Sequence, residues 1–168
     1  MKIGLLSDTH SFLDERVFTY FKDVDEIWHA GDVGDITILE KLSAFKPLVG
    51  VYGNIDGTNI RRELPEFQRF ERNGVEVLMT HIAGKPGKYS KPLLQEINKN
   101  GAPQLFICGH SHILLVKFDP KHQMLWLNPG ACGNHGFHTV KTLLRFDLLS
   151  GEIKNLEVIE MGVRGKNK

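Results

Sequence analysis

Seven residues of metal-holding type stand where apolar runs of this chain stop: Asp8, His10, Asp32, Asn54, His81, His110 and His112. Asp8-Thr9-His10 puts two donors at i and i+2 on a loop, where both can turn toward one ion. His110-Ser111-His112 repeats that spacing. Gly109 before it has no Cβ to block a sharp turn, so this second pair can diverge toward two ions. Gly31-Asp32 and Gly53-Asn54 suggest tight turns that bring backbone close to a small charged centre. Two carboxylates, one amide and four imidazoles, without thiolate, suit Mn, Fe, Co, Ni or Zn better than Mg or Ca. Seven donors are too many for one tetrahedral ion and suffice for two if one carboxylate bridges. Two ions about 3.5–4 Å apart are the usual clamp for phosphoryl chemistry. Two dications, set against two carboxylates and a bridging hydroxide, leave one positive charge, matched to one diester anion.

Donors so placed need a scaffold that delivers strand ends to one edge. Lys2–Ser7 is a short apolar run ending in polar residues, a buried strand feeding a loop. Val17, Phe18, Phe21 and Val24 recur at helical spacing, with Asp14 as their N-cap. Glu26–Ala30 is a second strand, Ile36, Leu39, Leu42 and Phe45 mark a second helix, and Leu48–Tyr52 is a third strand. This alternation argues for a parallel sheet with crossover helices, and in such sheets ligands bind at the carboxyl ends of strands. Phe67–Arg72, the turn Asn73-Gly74 and Val75–Thr80 form a hairpin. A helix near Pro92–Lys99 leads to strand Leu105–Cys108. Leu114–Phe118, Met124–Leu127, Thr139–Phe146 and Ile153–Ile159 then follow as a run of antiparallel strands. Two packed sheets with helices outside would bury this pattern.

In order and spacing, Asp8-x-His10, Gly31-Asp32, Gly53-Asn54, His81 and Gly109-His110-x-His112 resemble the five sequence blocks of the calcineurin-like metallophosphoesterases. The short chain is most similar to their YfcE-like branch of compact phosphodiesterases. The resemblance spans about residues 1–147, and five blocks together are specific where each alone is weak. It implies an α/β fold, a four-layer α/β/β/α sandwich of two mixed sheets flanked by helices; with no repeat, low-complexity segment or linker in the sequence, residues 1–168 read as one domain. By that resemblance Asp8, His10, Asp32 and His112 bind one metal, while Asp32 as the bridge, Asn54, His81 and His110 bind the other. The activity it implies is phosphodiester hydrolysis by a hydroxide bridging the two ions, with Asn54 and His81 as catalytic residues. One departure stands out: many members read Gly-Asn-His-Asp or Glu, whose His protonates the leaving group. This chain reads Gly53-Asn54-Ile55-Asp56, so that acid is missing from its usual place.

His29, Asp56 and Ser111 are candidates for orienting a ligand or touching substrate, although His29 reads equally well as a histidine satisfied at a strand end. His135 and His138 sit on a Gly-rich loop after Asn128-Pro129-Gly130, and each reads better as structural than as functional. Cys108, Cys132, Trp28 and Trp126 read as core, and His122 as an ordinary turn residue. An exposed aromatic face at Phe67 and Phe70 would indicate a homo-oligomer interface.

Composition narrows the partners. The chain has 168 residues, 41% hydrophobic and 24% charged, with a net charge of +1. Such a balance supplies no field to recruit nucleic acid or an anionic membrane, and a nuclease would want a basic groove with stacking aromatics. Two cysteines make neither a disulfide framework nor a zinc knuckle. Ile3–Leu6 is too short for a signal-peptide core, and no stretch approaches the roughly 20 apolar residues of a membrane span. A reduced, cytoplasmic protein acting on a small phosphodiester is the expectation, and the basic tail Arg164–Lys168 reads as frayed chain. The rival reading is a phosphoesterase fold serving as a protein-interaction scaffold, as in the retromer subunit that resembles this family. Scaffolds lose ligands, whereas all seven positions here keep competent donors.

Overall fold

A computed structural model describes residues 1–165. Two five-stranded mixed sheets face each other, with helices on both outer sides. The first sheet contains β1 (Lys2–Leu6), β2 (Glu26–His29), β3 (Leu48–Gly50), β11 (Val140–Leu149) and β12 (Glu152–Val163), in the order β12-β11-β1-β2-β3. The second is built from β4 (Phe67–Arg72), β5 (Val75–Thr80), β8 (Leu105–Ile107), β9 (Leu114–Asp119) and β10 (Met124–Pro129), in the order β4-β5-β8-β10-β9. β1, β2 and β3 run parallel, as do β5 and β8. The carboxyl ends that carry the seven donors are therefore neighbours within each sheet.

Burial explains why the sheets stack. Leu5, Trp28, Val77, Ile107, Leu127 and Phe146 fill the space between them, and Trp28 meets Phe146 and Phe70 edge to face at 5.7 and 5.1 Å. Burying each such side chain is worth about 1.5–3 kcal/mol. On the outer face of the first sheet lie α1 (Arg16–Tyr20), α2 (Ile36–Phe45) and α3 (Thr58–Glu63), whose Val17, Leu42 and Ile60 cover Leu6, Ile27 and Leu143 of the sheet. α2 starts at Asp35, whose carboxylate accepts the Thr37 N–H at 2.9 Å, an N-cap of the ordinary kind. α4 (Lys91–Asn100) covers Leu78, Phe106 and Trp126 on the far side, capped by Ser90 and started by Pro92.

Several sequence expectations need correction. Asp14 is not the cap of α1: Glu15 holds that position without a side-chain bond, and α1 stops at Tyr20, before Phe21 and Val24. Asp14 instead pairs with Arg16 and with the buried Lys141, both at 2.6 Å. The strands after residue 114 do not form one antiparallel run. β9 and β10 pair in the second sheet, whereas β11 crosses to the first and pairs with β1 and β12. Alternation specifies which face is buried but not which neighbour a strand takes, so sheet membership was not legible. α3 and the small hairpin β6 (Gly84–Lys85) with β7 (Lys88–Tyr89) were not expected either; both are too short to show a period. Phe70 packs on Trp28 and Phe67 on the α4-side core, so the hairpin presents no bare aromatic face. Arg164 is docked, donating to the carbonyl of Thr139 through its backbone and to that of Asn134 through its side chain. Residues 166–168 lie outside the described residues.

Candidate metal centre

The loops that follow the strands are zipped together before any ion is considered. Beyond β1, the amides of Asp8, His10 and Ser11 donate to the carbonyls of Gly31, Asp32 and Val33. From the other side, Cys132 and Gly133 donate to the carbonyls of Ser7 and Asp8, while Gly109 donates to that of His81. These bonds extend the ladders past the sheet and join the two sheets at one rim.

Five donor residues sit in the left-handed backbone region, at φ 56° for Asp8, 46° for His10, 54° for Asp32, 67° for His110 and 57° for His112. Non-glycine residues rarely adopt that region, and clusters of such strain mark functional sites. Close approach also requires two glycines. A Cβ on Gly53 would lie 2.0 Å from Asp32 Oδ1 and 2.3 Å from its backbone nitrogen. One on Gly109 would lie 2.1 Å from Ser7 Oγ, at the point where a loop of the second sheet crosses a loop of the first.

Two groups of donors result, Asp8 with His10, Asp32 and His112, and Asp32 with His81 and His110, each with ligand atoms within 4.8 Å of one another. Asp32 is common to both. His112 Nε2 lies 3.0 Å from Asp8 Oδ1, His10 Nε2 lies 3.2 Å from His112 Nε2 and 3.5 Å from Asp32 Oδ2, and His81 Nε2 lies 3.2 Å from Asp32 Oδ1. Metal–ligand bonds of about 2.0–2.2 Å place neighbouring donors about 3–3.5 Å apart, the spacing found here. Asp8 Oδ1 and His81 Nε2 are buried and have no hydrogen-bond partner. Buried polar atoms are rarely left so, and one of them in each donor group fits a cation in each. His81 donates from Nδ1 to the Ala30 carbonyl at 2.8 Å, which turns its Nε2 toward the Asp32 carboxylate at 3.2 Å. Asn54, the seventh expected donor, is exposed on the turn after β3 and lines a pocket together with His81.

Electrostatics favour charged carboxylates here. Burial opposes ionisation of Asp8, yet the imidazoles of His10 and His112, the His81 charge and the Ser7 hydroxyl, 2.6 Å away, outweigh it and hold Asp8 well below the usual carboxylate range. Asp32 is likewise lowered: burial works against it, His81 and the Ile55 N–H for it. Burial depresses His110, helped by the nearby His81 charge.

The other candidates divide. His29 is fully buried, accepts the Gly31 N–H on Nδ1 at 3.1 Å and lies 3.1 Å from Thr9 Oγ1 through Nε2. Burial pushes it down to about 4, against the pull of Asp56 and Asp8, so it is neutral at neutral pH and braces the turn that carries Asp32. Asp56 is buried and does not face substrate space. Its Oδ2 accepts the N–H groups of Gly53 at 2.7 Å and Val33 at 3.2 Å, and its Oδ1 that of Gly34 at 2.8 Å, clamping the Asp32 loop to the Asn54 turn. The Asn128 amide holds the Ser111 hydroxyl at 3.1 Å and the Gly109 carbonyl at 2.8 Å. His135 and His138, expected as structural, have rings against His10 and His112, with centroids 4.8 and 5.4 Å apart. Ser7, Thr9 and Asn128 are supporting residues that sequence reasoning missed; a hydroxyl or amide beside a donor at a strand end is their signal. Cys108 and Cys132 are free and buried, with burial pushing both thiols up to about 12. His122 stays at the β9–β10 turn, bonded to Asp119 at 2.8 Å.

Carboxylates and imidazoles converging from adjacent strand ends at the rim of two stacked sheets define a metallohydrolase type of α/β protein. Residues 1–151 match the calcineurin-like phosphoesterase superfamily domain. The chain belongs to that family, one of metal-dependent phosphoester hydrolases. A probable metallophosphoesterase of Methanocaldococcus jannaschii is 33% identical over 136 residues, 78% of this chain and 68% of that protein. Among solved structures, one described as a novel archaeal phosphodiesterase superposes with a TM-score of 0.75 at 24% identity, covering 96% of this chain and all of the other. Vps29 of Entamoeba histolytica, solved in complex with zinc, gives 0.70 at 16% identity over 95% of this chain and 99% of its own. These two likenesses establish the fold. No helix among the described residues is long and apolar enough to cross a membrane.

Proposed function

We propose that the protein is a dinuclear metal-dependent phosphodiesterase. Asp8, His10, Asp32 and His112 would hold one divalent ion, and Asp32, Asn54, His81 and His110 the other, with manganese the expected occupant. The observation that carries this reading is the pair of donor groups sharing Asp32, with Asp8 Oδ1 and His81 Nε2 buried and unpartnered. Bound ions would supply an activated water nucleophile and positive charge opposite the phosphoryl oxygens.

The chain's own groups do the positioning. Ser7 and the His110 N–H fix Asp8 Oδ2, at 2.6 and 3.2 Å, and so turn Oδ1 toward the shared centre. The Ile55 N–H fixes Asp32 Oδ1 at 3.1 Å. The exposed Asn54 amide, which shares a pocket wall with His81, would donate to a phosphoryl oxygen as charge develops on it. Ile55 itself is exposed beside Asn54 and carries no proton to give. A diester is favoured because the net positive charge of the centre matches one anion, and because the fold neighbour with the higher TM-score is described as a phosphodiesterase. Two free, buried cysteines fit a reducing compartment, and we place the protein in the cytoplasm. The scaffold reading draws on the likeness to Vps29, but nothing in the donor set favours it.

Hydrolysis of bis(4-nitrophenyl) phosphate after chelation and reloading with Mn tests the assignment. Turnover should depend on added metal and fall by orders of magnitude in Asp32→Asn. Metal-independent turnover, or none with the metal bound, would contradict it.

A further inference from the structure

Beside the Asp32, His81 and His110 group the surface opens into a pocket of about 400 Å³, with Asn54 and His81 in its wall. An ester group on a phosphorus held between those residues has this pocket next to it. Its remaining walls are not those of a simple hydrocarbon slot. The Arg61 guanidinium lies over the Tyr52 ring, 4.4 Å from its centroid. Arg61 is held in that position, donating from Nε to the Asp56 carbonyl at 2.6 Å and from a terminal nitrogen to the Gly53 carbonyl at 3.4 Å. The Tyr52 hydroxyl donates to Glu66 at 3.2 Å, and Glu66 lines the same pocket. Phe67 and Ile82 add apolar surface.

One cation and one carboxylate make the walls neutral overall, which gives a second phosphate no net attraction. A purely apolar guest would strip water from both charged groups without replacing it. A flat ring with apolar faces and a polar edge satisfies every wall at once. Its face stacks on a preorganised guanidinium–aromatic pair, and its polar edge meets Glu66. We infer that this pocket binds a nucleobase carried on an ester group of the substrate, with Arg61 and Tyr52 as its stacking platform. The inference rests on the phosphodiesterase reading and specifies its substrate class. Because Arg61 is tied to the carbonyls of Gly53 and Asp56, the platform is fixed to the turn that presents Asn54.

The test compares adenosine 5′-monophosphate with ribose 5-phosphate, which differ only by the base, on metal-loaded protein. Calorimetry gives their dissociation constants, and inhibition of aryl diester hydrolysis checks them. The base should tighten binding about tenfold, within the range of base stacking on one platform. Arg61→Lys keeps the charge but not the plane and should bring the ratio toward one, as should Tyr52→Leu; Tyr52→Phe keeps the ring and should retain the preference. Equal binding of the two phosphates, or a preference that survives both Arg61→Lys and Tyr52→Leu, would overturn the inference. A protein that turns over the aryl diester without base preference refutes only the pocket assignment. One that neither binds these phosphates nor hydrolyses the diester refutes the phosphodiesterase reading as well.

Discussion

Removing the Asp56 carboxylate should loosen the centre from behind. In Asp56→Ala three backbone N–H groups lose their acceptor, and those of Val33 and Gly53 are buried where water does not reach. Leaving a buried donor unsatisfied costs about 1–3 kcal/mol, so the pair costs about 2–6 kcal/mol; Gly34, half-buried, can turn to solvent. Against a typical domain stability of about 5–15 kcal/mol this is severe. Asp56→Asn keeps one acceptor oxygen and sets its NH2 against an N–H group, so it should fall between wild type and Ala. The three donors belong to the loop after Asp32 and the turn before Asn54, so metal affinity should drop as well, by about 10–100-fold for a lost outer partner. Urea unfolding in chelator gives the stability change, and Mn titration by calorimetry gives the affinity. A stability loss below about 0.5 kcal/mol, or unchanged Mn affinity in a destabilised variant, would refute the clamp.

Other perturbations give equally definite outcomes. Gly53→Ala drives a methyl into Asp32, whose Oδ1 and backbone nitrogen would be 2.0 and 2.3 Å away, so diester turnover and bound metal should fall together; normal values for both would refute the packing argument. His29 has its folded value pushed from 6.5 to about 4, so between those values the unfolded chain binds more protons, and stability is lost as pH falls from about 6.5 to 4. The loss amounts to about 3 kcal/mol for this buried group and should disappear from the pH profile of metal-free His29→Gln, read by denaturant titration. Ile55 is exposed, so Ile55→His can enter the site without repacking. It should speed poor leaving groups most, flattening the plot of log rate against leaving-group pKa; equal slopes would show that another group supplies the proton.

The donor pattern was legible because its grammar is local: a donor one to four residues past an apolar run reports its own position. Six of the seven residues so marked converge in two groups, and the seventh, Asn54, lines the pocket beside His81. The paired sheets were legible as a class for a similar reason, since alternation reports a buried face. Which strand neighbours which was not. β11 joins β1 across more than a hundred residues, and nothing in either strand's sequence names that partner. His29 and Asp56 were named as possible supports, but what each one braces was hidden for another reason. Asp56 looked like a site residue because it stands beside Asn54, but its carboxylate turns inward to three N–H groups, and direction is not written in spacing. His135 and His138 show the same limit, since nothing in the Gly-rich loop's composition says that it folds back to set both rings against donor histidines.

The central claim is that two ions share Asp32, and activity against metal equivalents tests it most directly. Chelated protein at a concentration far above the metal dissociation constant is titrated with Mn while hydrolysis of bis(4-nitrophenyl) phosphate is followed. The account predicts that activity stays low through the first equivalent, rises through the second and levels at two per chain. Saturation at one equivalent, or two bound ions without turnover, would contradict it.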